Sequence, residues 1–160
     1  MRHMETATDT PWLDADQQRV WRAFLGGTTV LMDRLDRDLR TQHGLSMPEY
    51  EILVRLSEAP SRSIRMAELA DAVSHSRSRV THTIARLERE GIVLRGQSSD
   101  DGRGVSATLT DQGFAVLEAA AHTHVRGVHD YLIAASSPGD LTAMGTIMES
   151  VLQTLQGRKF

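Results

Sequence analysis

The middle of the chain combines two helical segments, a tight polar turn and two short strand segments. Apolar residues recur at helical spacing over 65–73 and 77–90, and Ser76 stands where the second helix should have its N-cap. Strand-favouring runs follow at 92–97 and 105–108, and the polar, glycine-bearing residues between them predict a hairpin. The order short helix, turn, helix and hairpin therefore predicts one small packed unit.

Longer amphipathic helices flank this unit, and one more helix leads into it. Ser46 and Glu49 form a predicted capping box at the start of the helix that leads in. Gly26-Gly27 interrupts the first long helix, and we expect a bend or a close helix approach there. One domain of this size cannot cover all these apolar faces, so mutual packing of two copies is expected. The predicted helices cover residues 15–42, 47–58, 110–131 and 140–156.

Composition fits a globular chain and removes several classes of function. The 160 residues are 40% hydrophobic and 24% charged, and none is cysteine, which excludes disulfides and thiol chemistry. No apolar run reaches about 18 residues, so no membrane contact is expected; without a signal sequence, the expected location is cytoplasmic. The net charge is −3, yet residues 62–103 hold eight arginines against six acidic residues. The middle of the chain is thus more basic than its flanks.

The helix predicted at 77–90 has two chemically opposite faces. At about 100° per residue, Val80, Ile84 and Leu87 fall in one narrow arc that should face the core. The opposing sector consists almost entirely of hydrogen-bond donors. An α-helix fits the major groove of DNA, where arginine binds guanine through two hydrogen bonds, and the alternative is a solvated helix face. The residues of this donor sector are Arg79, His82, Thr83, Arg86 and Arg89.

The segment predicted to join the two strands, residues 98–104, adds one more cation. Arg103 stands between two glycines, which allow close approach to a phosphate backbone, and a single arginine can enter the minor groove. Asp100 and Asp101 would repel phosphates, so we expect a structural task for them, such as an ion pair between Asp101 and Arg103. The alternative is a mobile polar loop with a solvated arginine.

These elements predict a mostly α (α+β) fold, a winged helix-turn-helix whose N- and C-terminal helices form a dimerisation domain. The expected divisions are a flexible tail at 1–10, a helical dimerisation region at 11–44 and 111–160, and a DNA-binding unit at 45–110. The expected function is regulation of transcription by sequence-specific binding of double-stranded DNA. The alternative is a winged-helix module that binds an acidic protein partner, which the overall negative charge leaves open.

The sequence of the predicted wing resembles a known signature. Residues 101–113, D-G-R-G-V-S-A-T-L-T-D-Q-G, are similar to D-x-R-G-x-x-x-x-L-T-x-x-G, the wing pattern of the MarR family of bacterial regulators. Residues 69–81 resemble that family's helix-turn-helix, and residues 45–53 resemble the helix before it. The resemblance covers residues 45–113. Within it, Ser74 and His75 replace the glycine and the aliphatic residue that are usual in the turn.

The resemblance implies a homodimeric repressor or activator that binds an inverted repeat. Its terminal helices would interlock, the recognition helix 77–90 would enter the major groove, and the wing 98–104 would lie at the minor groove. The family's recognition-helix and wing arginines fall on Arg79, Arg86 and Arg103. By the same resemblance, further candidate DNA contacts are Ser76, Arg77, Ser78 and His82, with Arg77 best placed for a phosphate.

Many members of this family bind a small aromatic acid between the dimer helices and the DNA-reading unit. By that resemblance, a small aromatic or phenolic effector is a possible partner here. The alternative is that the residues concerned are ordinary interdomain core. The candidates to line such a crevice are Trp21, Phe24, Met47 and Tyr50.

No pattern in the chain indicates catalysis or a cofactor. There is no G-x-S-x-G, phosphate-binding loop, dinucleotide glycine pattern or H-E-x-x-H. His122, His124 and His129 have spacings that splay apart on a helix, so no metal site is predicted. We therefore expect neither an enzyme nor a resident cofactor.

Overall fold

The computed structural model describes residues 10–73, 76–97 and 104–156, apart from the side chain of Gln156. The predicted tail at 1–10 and the turn at Ser74 and His75 thus lie almost wholly outside the described residues. The helices and strands are α1 (Ala15–His43), α2 (Met47–Glu58), β1 (Ser63–Arg65), α3 (Met66–Ala72), α4 (Arg77–Arg89), β2 (Val93–Gln97), β3 (Val105–Leu109), α5 (Asp111–Val128) and α6 (Pro138–Gln156). The predicted mostly α fold is confirmed.

The strands form a three-stranded antiparallel sheet in the order β1-β3-β2. The predicted hairpin is β2 and β3, paired from Val93 opposite Leu109 to Gln97 opposite Val105. β1 was not predicted, because three residues are too few to show an alternating pattern. It pairs with the other side of β3 and so attaches the hairpin to the helices that precede it.

One apolar core joins α2, α3, α4, the sheet and the first half of α5. Most of it comes from leucine, isoleucine and valine at the helical spacings seen in the sequence, and α1 contributes only its C-terminal part. The alternating faces of β3 place Ala107 and Leu109 inward. The largest fully buried side chains are Leu39, Leu45, Ile52, Leu53, Leu56, Leu69, Val80, Ile84, Leu87 and Val93.

α1 is one uninterrupted helix of 29 residues. Asp14 and Gln17 form a capping box at its start, and Gly44, with φ of 67°, ends it in the left-handed region. The interruption predicted at Gly26-Gly27 is wrong, because the helix continues through both residues. A Cβ placed on either glycine meets no described atom within 4 Å, so the close helix approach is not found either.

The junction between β3 and α5 is fixed by Thr110 and Gly113. The Thr110 hydroxyl donates to the carbonyl of Gly91 (2.7 Å) and accepts from the N–H of Gly113 (2.9 Å), so it caps α5 and joins it to the start of the hairpin. A Cβ on Gly113 would lie 2.1 Å from the carbonyl oxygen of Ile92. Only glycine fits this approach, which explains the L-T-x-x-G spacing in physical terms.

A second attachment holds the start of β1 against α5. Ser61 and Arg62 both have positive φ values, 55° and 54°, although neither is glycine. This backbone brings the Arg62 guanidinium to 4.0 Å from the ring centre of Phe114, where it also donates to Asp111 at 3.3 Å. The strained turn thus anchors the edge strand β1 to the first turn of α5.

The terminal helices expose much of their apolar surface. α5 ends in a π-helical turn at His129–Ile133, and α6 then begins at Pro138. Only Leu35 and Leu39 of α1 are buried, and no residue of α6 with a described side chain is. Within the described ranges, no helix is both long and apolar enough to cross a membrane. The large exposed apolar residues of α1 and α6 are Val20, Trp21, Phe24, Leu25, Val30, Met32, Met144, Ile147, Val151 and Leu155.

Candidate nucleic-acid interface

α4 is seated in the fold by the three residues that the helical wheel assigns to the core. Val80, Ile84 and Leu87 are all 1% exposed or less. Their positions on consecutive turns fix both the depth of the helix and its rotation about its axis. The side chains on the outer face are consequently held toward solvent, and those that are exposed at the N-terminal end are Ser76, Arg77, Ser78, Arg79, Thr81 and His82.

The first turn of α4 is ordered by hydroxyl groups. Ser76 is the N-cap and accepts from the backbone N–H of Arg79 (3.3 Å), and its hydroxyl lies 3.3 Å from that of Ser78. Thr81 donates its hydroxyl to the carbonyl of Arg77 (2.8 Å). Arg77 and Arg79 make no ion pair with any residue that the structure describes. A helix N-terminus with two unpaired arginines is electrostatically suited to phosphate.

Arg86 differs from the other arginines of α4 because two carboxylates hold it. Its Nε donates to Glu49 of α2, and its Nη1 lies 2.7 Å from Glu90. Its side chain is 31% exposed, and its Nη2 is buried without a hydrogen-bond partner among the described residues. The structure therefore places Arg86 at the contact between α2 and α4, where it is half-buried, although it lies on the face of α4 that the helical wheel assigned to solvent.

Glu49 has two tasks in this arrangement. Besides binding Arg86, it accepts a hydrogen bond from the backbone N–H of Ser46 at 2.7 Å, which completes the predicted capping box of α2. Burial alone would raise the pKa of Glu49, but the hydrogen bonds from Arg86 and Ser46 outweigh it and leave the pKa below its ordinary value. The carboxylate is consequently charged at neutral pH and holds α4 against α2.

The remaining predicted contacts are distributed as follows. Thr83 is half-buried, and Arg89 is exposed, with its Nε 3.4 Å from the carbonyl of Ala85. Arg103 and Asp101 lie outside the described residues, as does the loop between β2 and β3 that carries them. The predicted minor-groove contact and the predicted ion pair in the wing both stay predictions.

An ion pair between α4 and the wing was missed by the sequence analysis. The Arg95 guanidinium on β2 lies 2.6 Å from the carboxylate of Glu88 on α4. The two residues are seven positions apart across a helix end and a turn, so no helical or strand spacing indicates the pair. Only the folded path of the chain brings them together.

The four residues predicted to line an effector crevice form two separate pairs within one chain. Trp21 and Phe24 stack on each other on α1, with ring centres 5.9 Å apart, and both are exposed. Met47 and Tyr50 lie at the start of α2, where the N–H of Met47 donates to Asp36 of α1 at 2.7 Å. Since Asp36 is twelve residues beyond Phe24, the two pairs are separated by about 18 Å along α1.

Tyr50 is occupied by a contact of its own. It is buried, and its ring lies 4.6 Å from that of His124 on α5. Burial lowers the pKa of His124, whose Nδ1 has no hydrogen-bond partner among the described residues. This packing fits the alternative that Tyr50 belongs to the interdomain core. No three metal-binding side chains are grouped within the described part of the chain.

A polar cleft lies between α1 and α5, on a different part of the surface. It has a volume of about 270 Å³ and includes Asp38, which accepts from the Tyr131 hydroxyl at 2.8 Å and pairs with Arg34 at 3.1 Å. None of the predicted effector-binding residues lines it. The residues around it are Asp38, Gln42, His122, Thr123, Arg126, Gly127, Asp130 and Tyr131.

A short helix, a second helix with an exposed cationic face, and an antiparallel hairpin define a winged helix-turn-helix protein. Comparison with known proteins narrows this class. The MarR family pattern matches residues 45–105. The HTH-type transcriptional regulator PecS of Dickeya dadantii is 31% identical over 126 residues, which are 78% of this chain and 75% of PecS.

Two solved structures from Streptomyces coelicolor are similar over nearly the whole chain. Sco3205, a MarR family transcriptional regulator in complex with DNA, is 41% identical, with a TM-score of 0.87 over 93% of this chain and 94% of its own. AbsC, another MarR family regulator, is 36% identical, with a TM-score of 0.86 over 93% of this chain and all of its own. The chain belongs to the MarR family of transcriptional regulators, which is not a class of enzymes.

Proposed function

We propose that this regulator binds double-stranded DNA sequence-specifically, as a homodimer on an inverted repeat, with α4 in the major groove. The observation that carries the proposal is the N-terminal part of α4, where Arg77, Ser78, Arg79 and His82 are exposed while Val80 is buried. Donors in this arrangement match the acceptors of guanine and of the phosphate backbone. The structure of the relative Sco3205 in complex with DNA supports DNA as the ligand.

The candidate contacts divide into three roles. Arg79 and His82, on the exposed turn of α4, are proposed to reach base edges, with Thr83 beside them. Ser76, Ser78 and Arg77 are proposed to bind phosphates at the helix N-terminus, where free backbone N–H groups and the positive end of the helix dipole favour an anion. Arg86 is proposed to fix α4 against α2 instead of reading a base, because Glu49 already holds it.

The wing and the dimer belong to the same proposal. Arg103 is proposed to enter the minor groove, supported against the neighbouring carboxylate of Asp101. The apolar faces of α1 and α6 are proposed to pack on those of a second copy, which divides the chain into the dimer region 11–44 and 111–160 and the DNA-binding unit 45–110. The exposure of Val20 and Ile147 supports this, since a lone chain would leave them in water.

We also propose that a small aromatic or phenolic effector releases the regulator from DNA in the cytoplasm. The exposed, stacked pair Trp21 and Phe24 offers an aromatic surface that a flat ligand could extend. Because Met47 and Tyr50 lie far from this pair in one chain, a site that uses all four residues requires a second copy.

The proposal is tested by selecting genomic DNA fragments with the purified protein and footprinting them. We expect protection of an inverted repeat whose half-site centres are about one DNA turn, roughly 34 Å, apart. Arg79→Ala should weaken specific binding by about 1–3 kcal/mol at fixed salt. Arg55→Ala is the matched control, because Arg55 is exposed on α2 and pairs with no described residue.

The opposite results are equally informative. Equal affinity of the Arg79→Ala variant and the wild type would remove α4 from the reading role. A wild-type protein that selects no fragment and leaves no footprint would favour the alternative, a winged helix that binds an acidic protein.

A further inference from the structure

Glu88 and Arg95 join the recognition helix to the wing through one carboxylate. The backbone N–H of Arg95 donates to Glu88 Oε1 at 3.1 Å, and its Nε donates to Oε2 at 2.8 Å. A third donor, Nη2, lies 2.6 Å from Oε2. The hydrogen bond from the Arg95 side chain holds the pKa of Glu88 below its ordinary value, so the carboxylate is charged at neutral pH. We call this pair the Glu88–Arg95 clamp.

The clamp lies where the wing leaves the core. β2 is an edge strand, and after Val93 its residues are all exposed. One edge of β2 pairs with β3, and the other has no neighbouring strand among the described residues. Among the described residues, the side-chain hydrogen bonds from α4 to β2 are those of Glu88. The clamp also occupies the Arg95 N–H on the open edge of the strand, which would otherwise be unpaired.

Glu88 does not belong to the surface that reads DNA. At about 100° per residue it lies roughly 180° around α4 from Arg79. Its side chain is turned toward β2 and is 30% exposed. A role of Glu88 in DNA binding must therefore act through the position of the wing.

We propose that Glu88 is a positioning residue for the wing. Glu88 accepts from both the backbone N–H and the guanidinium of Arg95, and it thereby fixes the direction of β2 relative to α4. The end of β2 at Gln97 is then held in a set relation to the recognition helix. This inference rests on the proposed function, because it assumes that α4 and the wing bind the same DNA site.

Positioning and charge predict opposite effects when Glu88 is neutralised. A negative charge on the DNA-binding unit repels phosphates, so its removal alone should tighten binding to any DNA sequence. Loss of the clamp should instead weaken binding to the specific site, where the wing and α4 must fit together. The sign of the change in specific affinity therefore separates the two effects.

The experiment compares Glu88→Gln with the wild type on a selected genomic site and on random-sequence DNA. We expect specific affinity to fall about tenfold, with unchanged or slightly higher affinity for random DNA and protection lost at the outer ends of the footprint. Glu58→Gln is the control, because it removes the same charge from an exposed position of the same DNA-binding unit, at the end of α2. Arg95→Lys, which keeps the charge but cannot form the fork, should reproduce the loss.

A double-mutant cycle with Arg103→Ala tests whether Glu88 acts through the wing. In the Arg103→Ala background, Glu88→Gln should cause less than a threefold further loss, because the contact that it positions is already absent. A full tenfold loss in that background would overturn the positioning role. The same applies if Glu88→Gln, with an unchanged circular dichroism spectrum, binds the specific site as tightly as the wild type or more tightly. A wild-type protein that selects no site would overturn the proposed function itself.

Discussion

Two carboxylates on neighbouring elements, Glu49 and Glu88, each hold one arginine of the winged unit. Glu49 fixes Arg86 between α2 and α4, and Glu88 fixes Arg95 between α4 and β2. The arginines of this unit therefore differ in role although they are identical in chemistry. Those with carboxylate partners set the geometry of the unit, whereas Arg79, which has none among the described residues, remains available to a ligand.

The pair of Arg86 and Glu49 makes a prediction about stability. Arg86→Met leaves the Glu49 carboxylate half-enclosed without its partner, so we expect the free energy of unfolding to fall by about 2 kcal/mol. The double variant Arg86→Met with Glu49→Gln should recover part of this loss, because no unpaired charge remains and glutamine can still accept from the N–H of Ser46. Urea unfolding of the two variants and the wild type measures this. A double variant less stable than Arg86→Met would contradict it.

The sequence predicted which face of α4 is buried but did not show that Arg86, on the opposite face, is held by two carboxylates. The helical wheel places Arg86 about 20° from Arg79, and both do point away from the apolar arc. A wheel contains only the helix itself, and it cannot show that Glu49 of α2 lies beside Arg86 in the third turn of α4. Glu49 had already been explained as a capping residue, so nothing in the sequence suggested a second partner.

At the scale of elements, Thr110 and Gly113 form a joint between the wing and α5. Thr110 ends β3, caps α5 and bonds to Gly91, while Gly113 brings the backbone of α5 against Ile92. The joint is short, and the Thr110 hydroxyl and the backbone N–H of Gly113 are both hydrogen-bonded. A change in the direction of α5 is therefore passed to the root of the hairpin without a flexible linker between them.

The close approach at this joint gives a second prediction. In Gly113→Ala the added Cβ would lie 2.1 Å from a backbone carbonyl oxygen, which no side-chain rotation can relieve. We expect the free energy of unfolding to fall by about 3 kcal/mol, the upper part of the usual range for overpacking. Ala115→Ser, at an exposed position two residues further along α5, should change it by less than about 0.5 kcal/mol. Thermal unfolding at several scan rates would measure both. A Gly113→Ala variant as stable as Ala115→Ser would refute the close approach.

The elements were predicted to different degrees for reasons of length and spacing. α2 and α4 follow from capping residues and apolar periodicity, and their boundaries are found within a residue or two of the expected ones. β1 could not be predicted, because its three residues become a strand only through pairing with β3. The interruption predicted at Gly26-Gly27 was wrong, since two glycines lower helix propensity without ending a helix that is long on both sides.

At the scale of the whole molecule, the winged unit is complete within one chain and the terminal helices are not. The core beneath α4 is sealed, with several side chains fully buried. By contrast, α1, with 29 residues, and α6, with 19, both expose apolar side chains to solvent. This contrast supports the proposed dimer, with α1 and α6 as its proposed interface.

The proposed interface gives a third prediction. Val20→Glu and Ile147→Glu, at positions 57% and 56% exposed, should each shift the protein toward monomer, because a carboxylate would be buried between two apolar helices. Leu94→Glu is the matched control, since Leu94 is 58% exposed but lies on the wing. Sedimentation velocity at micromolar concentration distinguishes them. A wild type that sediments as a monomer, or a Leu94→Glu variant as dissociated as the other two, would count against this interface.

The length of α1 also implies that the stability of the protein depends on its concentration. The helix extends about 44 Å, yet its own chain buries only Leu35 and Leu39 of it. If a second copy covers the remainder, each tenfold dilution toward the dissociation constant removes about 1.4 kcal/mol of stabilisation from the dimer. Occupancy of an operator would then fall more steeply with dilution than for a monomeric regulator. Cell growth and division, which dilute the protein, would thereby act on its target genes without any effector.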